Sequence, residues 1–104
     1  MSTEYLLVVQ MDIPSELDSE FNRIYDQDHI PKIMNVAGVL GVNRYALEES
    51  DANGVAKYIA LYRITSPAVA KSPEWRAAAD LGEWMPKMRP YTFNRTRSIY
   101  RKLT

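Results

Sequence analysis

Apolar positions along the chain switch between two periods, and the switches mark the elements. Tyr5-Leu6-Leu7-Val8-Val9-Gln10-Met11 is a nearly unbroken apolar run rich in strand formers, the pattern of a strand covered on both faces. Asp12-Ile13-Pro14-Ser15 breaks it. Ser15 is placed to cap a helix whose first turns carry Glu16, Asp18 and Glu20, acids that suit a helix N-terminus. Leu17, Phe21, Ile24 and Tyr25 then recur at helical intervals and form one stripe. At about 100° per residue, Asp28 falls near the centre of that stripe and His29 near its edge. Pro31 predicts that the helix ends or kinks at about His29, with Ile30 outside helical conformation. Ile33, Met34 and Val36 predict one more turn before Gly38.

Val39 to Leu47 reads as a second strand, more polar than the first because of Asn43 and Arg44. The polar stretch from Glu48 to Gly54 ends in Asn-Gly, a hairpin signal. Lys57 to Thr65 is a third strand whose centre, Tyr58-Ile59-Ala60-Leu61-Tyr62, is again apolar on both faces. Ser66-Pro67 starts a helical region, and Ser72-Pro73 supplies an N-cap and a first helical position within it. Leu81 to Arg89, interrupted by Pro86 and closed by Pro90, reads as irregular or as a helical turn. Tyr91 to Leu103 is a long final strand.

The order β-α-β-β-α-β predicts an α+β, ferredoxin-like fold: a four-stranded antiparallel sheet with helices on one face and the first and third strands central. Arg44, Arg95, Arg97 and Arg101 fall on the second and fourth strands, which suits edges. Two central strands apolar on both faces need cover on each. Helices supply one cover, so dimerisation through the other face is expected.

Composition narrows the function. The 104 residues make one domain, 1–104, with a single modest core. Net charge is zero, which speaks against gripping nucleic acid. Without cysteine and with one histidine, thiolate and His-rich metal sites are excluded within one chain, and no metal is expected. No apolar run approaches the ~20 residues of a membrane span. Met1-Ser2-Thr3-Glu4 lacks the basic start of a signal peptide, so a cytoplasmic location without membrane contact is expected. Charge is nevertheless segregated. Six acids against Arg23 alone lie between Asp12 and Asp28, and six bases without an acid lie from Lys87 onward. Such runs are ordinarily solvated faces, the alternative being opposite patches that meet within or between subunits.

Phe21-x3-Tyr25-x3-His29-x-Pro31, followed by Gly38 and a strand with Arg44-Tyr45, resembles the EthD-like branch of the dimeric α+β barrel proteins. Trp75-Arg76, Trp84, Met88-Arg89-Pro90 and Tyr100-Arg101 are similar to small bacterial members of unassigned function. Ala37 stands where many relatives have proline. The resemblance implies a homodimer whose sheets pack face to face as a barrel, with a cleft in each subunit between helices and sheet. Relatives include cofactor-free monooxygenases, polyketide cyclases, muconolactone isomerases and haem-degrading enzymes, so the fold does not choose the chemistry.

His29 is the candidate acid/base residue, because imidazole titrates near neutral pH; the resemblance implies a histidine at this helix end facing the cleft. Asp28 is a candidate catalytic helper, orienting the imidazole or pairing with Arg44, unless it turns to solvent. Tyr25, one turn before His29, and Tyr45 and Tyr62 are candidates to offer a hydroxyl to a substrate oxygen. Trp84, between Gly82 and Pro86, is a candidate lid. A G-x-S-x-G elbow and a phosphate-binding glycine loop are both lacking. The expected function is acid/base chemistry without a cofactor on a small aromatic or lactone-like molecule: isomerisation, cyclisation or cofactor-free oxygenation. Haem is set aside, since haem-degrading relatives carry their histidine elsewhere. The competing reading is a dimeric ligand-binding or structural protein without turnover. An RNA-binding sheet is a weaker rival: Tyr58 and Tyr62 share one strand face, but the glycines of the RNA-recognition pattern are missing.

Overall fold

The computed structural model describes residues 4–104; Met1-Ser2-Thr3 and the expectation attached to them lie outside the described residues. Four strands, β1 (Tyr5–Asp12), β2 (Val39–Ala46), β3 (Tyr58–Ile64) and β4 (Phe93–Arg101), form one sheet in the order β2-β3-β1-β4. Every neighbouring pair is antiparallel. The doubly apolar strands β1 and β3 are thus central, and the ferredoxin-like α+β fold is established. Helical segments α1 (Asp18–Ile24), α2 (Ile30–Ile33), α3 (Pro67–Ala70) and α4 (Pro73–Asp80) accompany the sheet.

Strand alternation sends one set of side chains toward the helices. Leu7 and Met11 of β1 and Tyr58, Ala60, Tyr62 and Ile64 of β3 are buried there with Phe21, Ile24 and Ile33. The other face carries Leu6 and Val8 of β1 beside Ile59 and Leu61 of β3, all half-buried, flanked by exposed Tyr45 and Tyr100. Tyr58 and Tyr62 therefore sit beneath the helices, where they are closed to base stacking.

Several local expectations are corrected. Ser15 caps nothing: a short 3₁₀ turn, Ser15–Leu17, comes first, closed by the Leu17 N–H donating to the Pro14 carbonyl at 2.9 Å. The first helix does not end at His29, and Ile30 is helical with φ −58° and ψ −47°. Instead Tyr25–His29 forms a π turn, closed by the Ile30 N–H on the Tyr25 carbonyl. An extra residue per turn accommodates the ring and missing N–H of Pro31 without breaking the helix. The segment Leu81 to Arg89 contains a second π turn, Trp84–Met88, and β4 starts only after a 3₁₀ turn at Arg89–Tyr91. There the Thr92 N–H and hydroxyl both donate to the Arg89 carbonyl, at 3.1 and 2.7 Å. Ser72 does cap α4, its Oγ accepting the Trp75 N–H at 3.1 Å.

Four acids of the run form ion pairs among the described residues, none of them with the basic run. Asp18 bonds Lys57, Asp26 bonds Arg44, and Asp28 bonds Lys32. Among the described residues no ion pair joins an acid of Asp12–Asp28 to a base from Lys87 onward.

Candidate active site

The two π turns face each other over the sheet and build one wall of a cavity. Widening the helix turns the residues after Tyr25 backwards about its axis. Asp28 leaves the apolar stripe and His29 moves onto it. His29 is consequently 5% exposed, stacked on Trp84 at 4.8 Å between ring centroids and edge-on to Tyr25 at 5.0 Å.

The cavity encloses about 330 Å³. Val9 and Met11 of β1, Tyr62 of β3 and Arg95 and Arg97 of β4 line its sheet side. Tyr25 and His29 come from the first π turn, Trp84 and Met85 from the second, and Trp75 from α4. Ligand pockets begin at about 300 Å³, and an apolar cavity of about 150 Å³ already admits benzene. The space therefore suits one or two fused rings.

The Tyr25 and Tyr62 hydroxyls are 2.5 Å apart. Burial raises the pKa of both, so the pair holds two phenolic protons at neutral pH. One is spent between them and the other remains for an outside acceptor. His29 Nδ1 is buried without a hydrogen-bond partner. Burial depresses the His29 pKa to about 4, against a smaller opposing pull from Asp28, so the imidazole is neutral through the physiological range.

Of the residues singled out from sequence, the structure brings Tyr25, His29, Tyr62 and Trp84 together around this cavity. Tyr45 stands apart, on the open face of the sheet and 56% exposed, because it is one residue out of phase with Arg44. Asp28 is also outside the lining. It neither orients the imidazole nor meets Arg44. Its Oδ1 pairs with Lys32 at 2.5 Å and its Oδ2 accepts the Glu83 N–H at 2.9 Å, and both bonds hold its pKa below the usual carboxylate range. Arg44 instead bonds Asp26 at 2.7 Å and Asn22 at 2.9 Å, with its guanidinium 4.4 Å from the Tyr25 ring centroid. Asp28 is thus a latch on the segment that carries Trp84.

Gly82 makes that latch possible. Its φ is +75°, and a Cβ there would run into the Asp28 carboxylate. Gly82→Ala is expected to cost more than about 1 kcal/mol from backbone strain alone. Chemical denaturation checks this, and Asp28→Ala made alongside should relieve part of the cost.

Sequence reasoning missed the cationic lining. Lys71, Arg76, Arg89, Arg95 and Arg97 all border the cavity, against Asp80 alone. The signal was there in the basic C-terminal run, but it read as a solvated face. Arg95 continues the regular register of β4 opposite Met11, one place beyond the pair Gln10–Thr96, and a bulge at Asn94 then shifts the next pair to Asp12–Phe93. Asn94 takes the left-handed conformation, φ 51°, and donates to Asp12 and to the Gly54 carbonyl, each at 3.0 Å. Among the described residues no cluster of three metal-ligating side chains occurs.

The ferredoxin-like α+β fold is shared by known structures. An EthD family protein from Bacillus halodurans superposes with a TM-score of 0.70 at 12% identity, over 96% of this chain and 99% of that one. SnoaB, a cofactor-independent oxygenase from Streptomyces nogalater, gives 0.63 at 14% identity, over 93% and 90%. The haem-degrader MhuD from Mycobacterium tuberculosis, with two haems bound in its active site, gives 0.65 at 13% identity, over 96% of each chain. The chain has the fold of the EthD-like dimeric α+β barrel proteins. No protein-family model matches the sequence, and no curated protein matches it.

Proposed function

We propose that this protein is a cofactor-independent enzyme acting on a small aromatic or lactone-like molecule, with His29 as the proton-transferring group. The observation that carries the reading is a neutral, buried imidazole with an unpartnered nitrogen, stacked on Trp84 at the wall of an aromatic cavity. A flat substrate slides between aromatic faces, and the spare phenolic proton of the Tyr25–Tyr62 pair bonds a substrate oxygen as charge develops on it. His29 accepts the substrate proton in the step that builds that charge. The product class is an isomer, a cyclised product or, with dioxygen, an oxygenated one. The likeness to SnoaB favours the last.

The assembly in this reading is a cytoplasmic homodimer. Leu6, Val8, Ile59 and Leu61 form an apolar sheet face that a second copy covers. No helix among the described residues is long and apolar enough to cross a membrane.

His29 is a weak base in the empty cavity, and that observation favours a second reading, a dimeric binding protein without turnover. One experiment separates them. The single imidazole is followed by NMR with panels of phenols, lactones and β-keto acids, and turnover is assayed for wild type and His29→Gln. The expected result is that one ligand class shifts the imidazole signals and that His29→Gln binds it but turns over at least about 100-fold more slowly. Binding without turnover by either form establishes the second reading. Full turnover by His29→Gln overturns the mechanism.

A further inference from the structure

Of the 13 lysines and arginines, six form ion pairs among the described residues: Arg23, Lys32, Arg44, Lys57, Arg63 and Lys87. Five of the remaining seven, Lys71, Arg76, Arg89, Arg95 and Arg97, border one cavity. A folding chain gains nothing by gathering its unpaired cations around a single hollow, since like charges repel.

The arginines come from three places that the fold converges. Arg95 and Arg97 are alternate residues on the cavity face of β4, in register opposite Met11 and Val9. Arg89 opens the 3₁₀ turn before that strand, and Arg76 lies on α4. Arg97 is held in place, its Nη2 donating to the Ala70 carbonyl at 2.6 Å and its guanidinium 5.8 Å from the Trp75 ring centroid. Burial and the neighbouring Arg89 and Arg97 push the Arg95 pKa down. Such strain is relieved by an anion.

We propose that the cavity holds an aromatic carboxylate, its ring between Trp84, Tyr62 and Trp75 and its carboxylate on Arg95 and Arg89, with Arg97 completing the cationic wall. This rests on the reading of the cavity as a small-molecule site and names the substrate class. The guanidinium fork matches two carboxylate oxygens, and planar recognition of this kind is what arginine supplies and lysine does not.

Naphthalene-2-carboxylate and naphthalene-2-carboxamide, alike in shape and different in charge, test the assignment through quenching of Trp75 and Trp84 fluorescence. Wild type is expected to prefer the carboxylate by roughly 10- to 100-fold, the worth of charge-assisted hydrogen bonds. Arg95→Gln and Arg89→Gln are each expected to remove most of that preference while leaving carboxamide affinity within about twofold. Equal binding of the two probes by wild type, or a preference unchanged in both variants, overturns the carboxylate subsite while the cavity reading stands. Saturable quenching by neither probe overturns both.

Discussion

Acidifying the protein from pH 7 to pH 5 is expected to cost about 2 kcal/mol of stability at His29 alone, approaching a ceiling of about 3 kcal/mol near pH 4. The sign follows from which state binds the proton. In the unfolded chain the imidazole titrates at the ordinary value of 6.5, and in the folded protein at about 4. Between those values the unfolded state carries the extra proton, so stability is full above 6.5 and is lost as pH falls toward 4. The depressed carboxylates of Asp18, Asp28 and Glu83 act in the same direction but lower, below their ordinary values of 3.8 to 4.5. The interval from pH 7 to pH 5 therefore isolates the histidine. Urea denaturation across that interval measures it, with His29→Phe as control: the phenyl ring keeps the stack on Trp84 and should flatten the slope. A wild-type slope that persists in His29→Phe would place the titration elsewhere.

Trp84→Ala is expected to lose about 3–5 kcal/mol, the range for truncating a buried large aromatic. Trp84 is 4% exposed and meets Phe21, Tyr25 and His29 at centroid distances of 5.9, 5.0 and 4.8 Å. Its removal takes away the contacts that tie the second π turn to the first. Trp84→Phe keeps a ring against His29 and should cost less than half as much. A loss under about 1 kcal/mol for the alanine variant would mean that this segment covers the cavity without belonging to the core. Thermal or chemical unfolding with circular dichroism reads both variants.

The strands, their order and the two faces of the sheet were legible because a period of two and a doubly apolar run are local signals. The candidate site was legible in part. Tyr25, His29, Tyr62 and Trp84 were picked as chemically able residues, and the fold gathers them. Asp28 was misplaced because an ideal helical projection assumes a constant turn, and one extra residue between Tyr25 and Ile30 rotates it off the stripe. Tyr45 was misplaced for a related reason: the strand was visible, but its phase was not, and Arg44 takes the helix-facing position. The arginine lining was invisible because it depends on how β4 registers on β1 and on where α4 and the turn at Arg89 pack, and these are set by contacts distant in sequence.

The pairing of β1 with β4 has a consequence for how the protein is made. Tyr5 lies opposite Arg101 and Val9 opposite Arg97, so the floor of the cavity is closed by residues about ninety positions apart. The hairpin of β2 and β3 and the helices between β1 and β2 can form as soon as they are synthesised, because their partners are near in sequence. The arginine strand is the last of the sheet to be translated. Until it docks, β1 is an open edge and Val9 and Met11 have no neighbour on that side. A nascent chain halted before residue 93 would hold most of the apolar core but lack Arg95 and Arg97, the part of the cationic wall that the sheet supplies. Ligand present during synthesis would then act late, drawing the final strand onto the sheet.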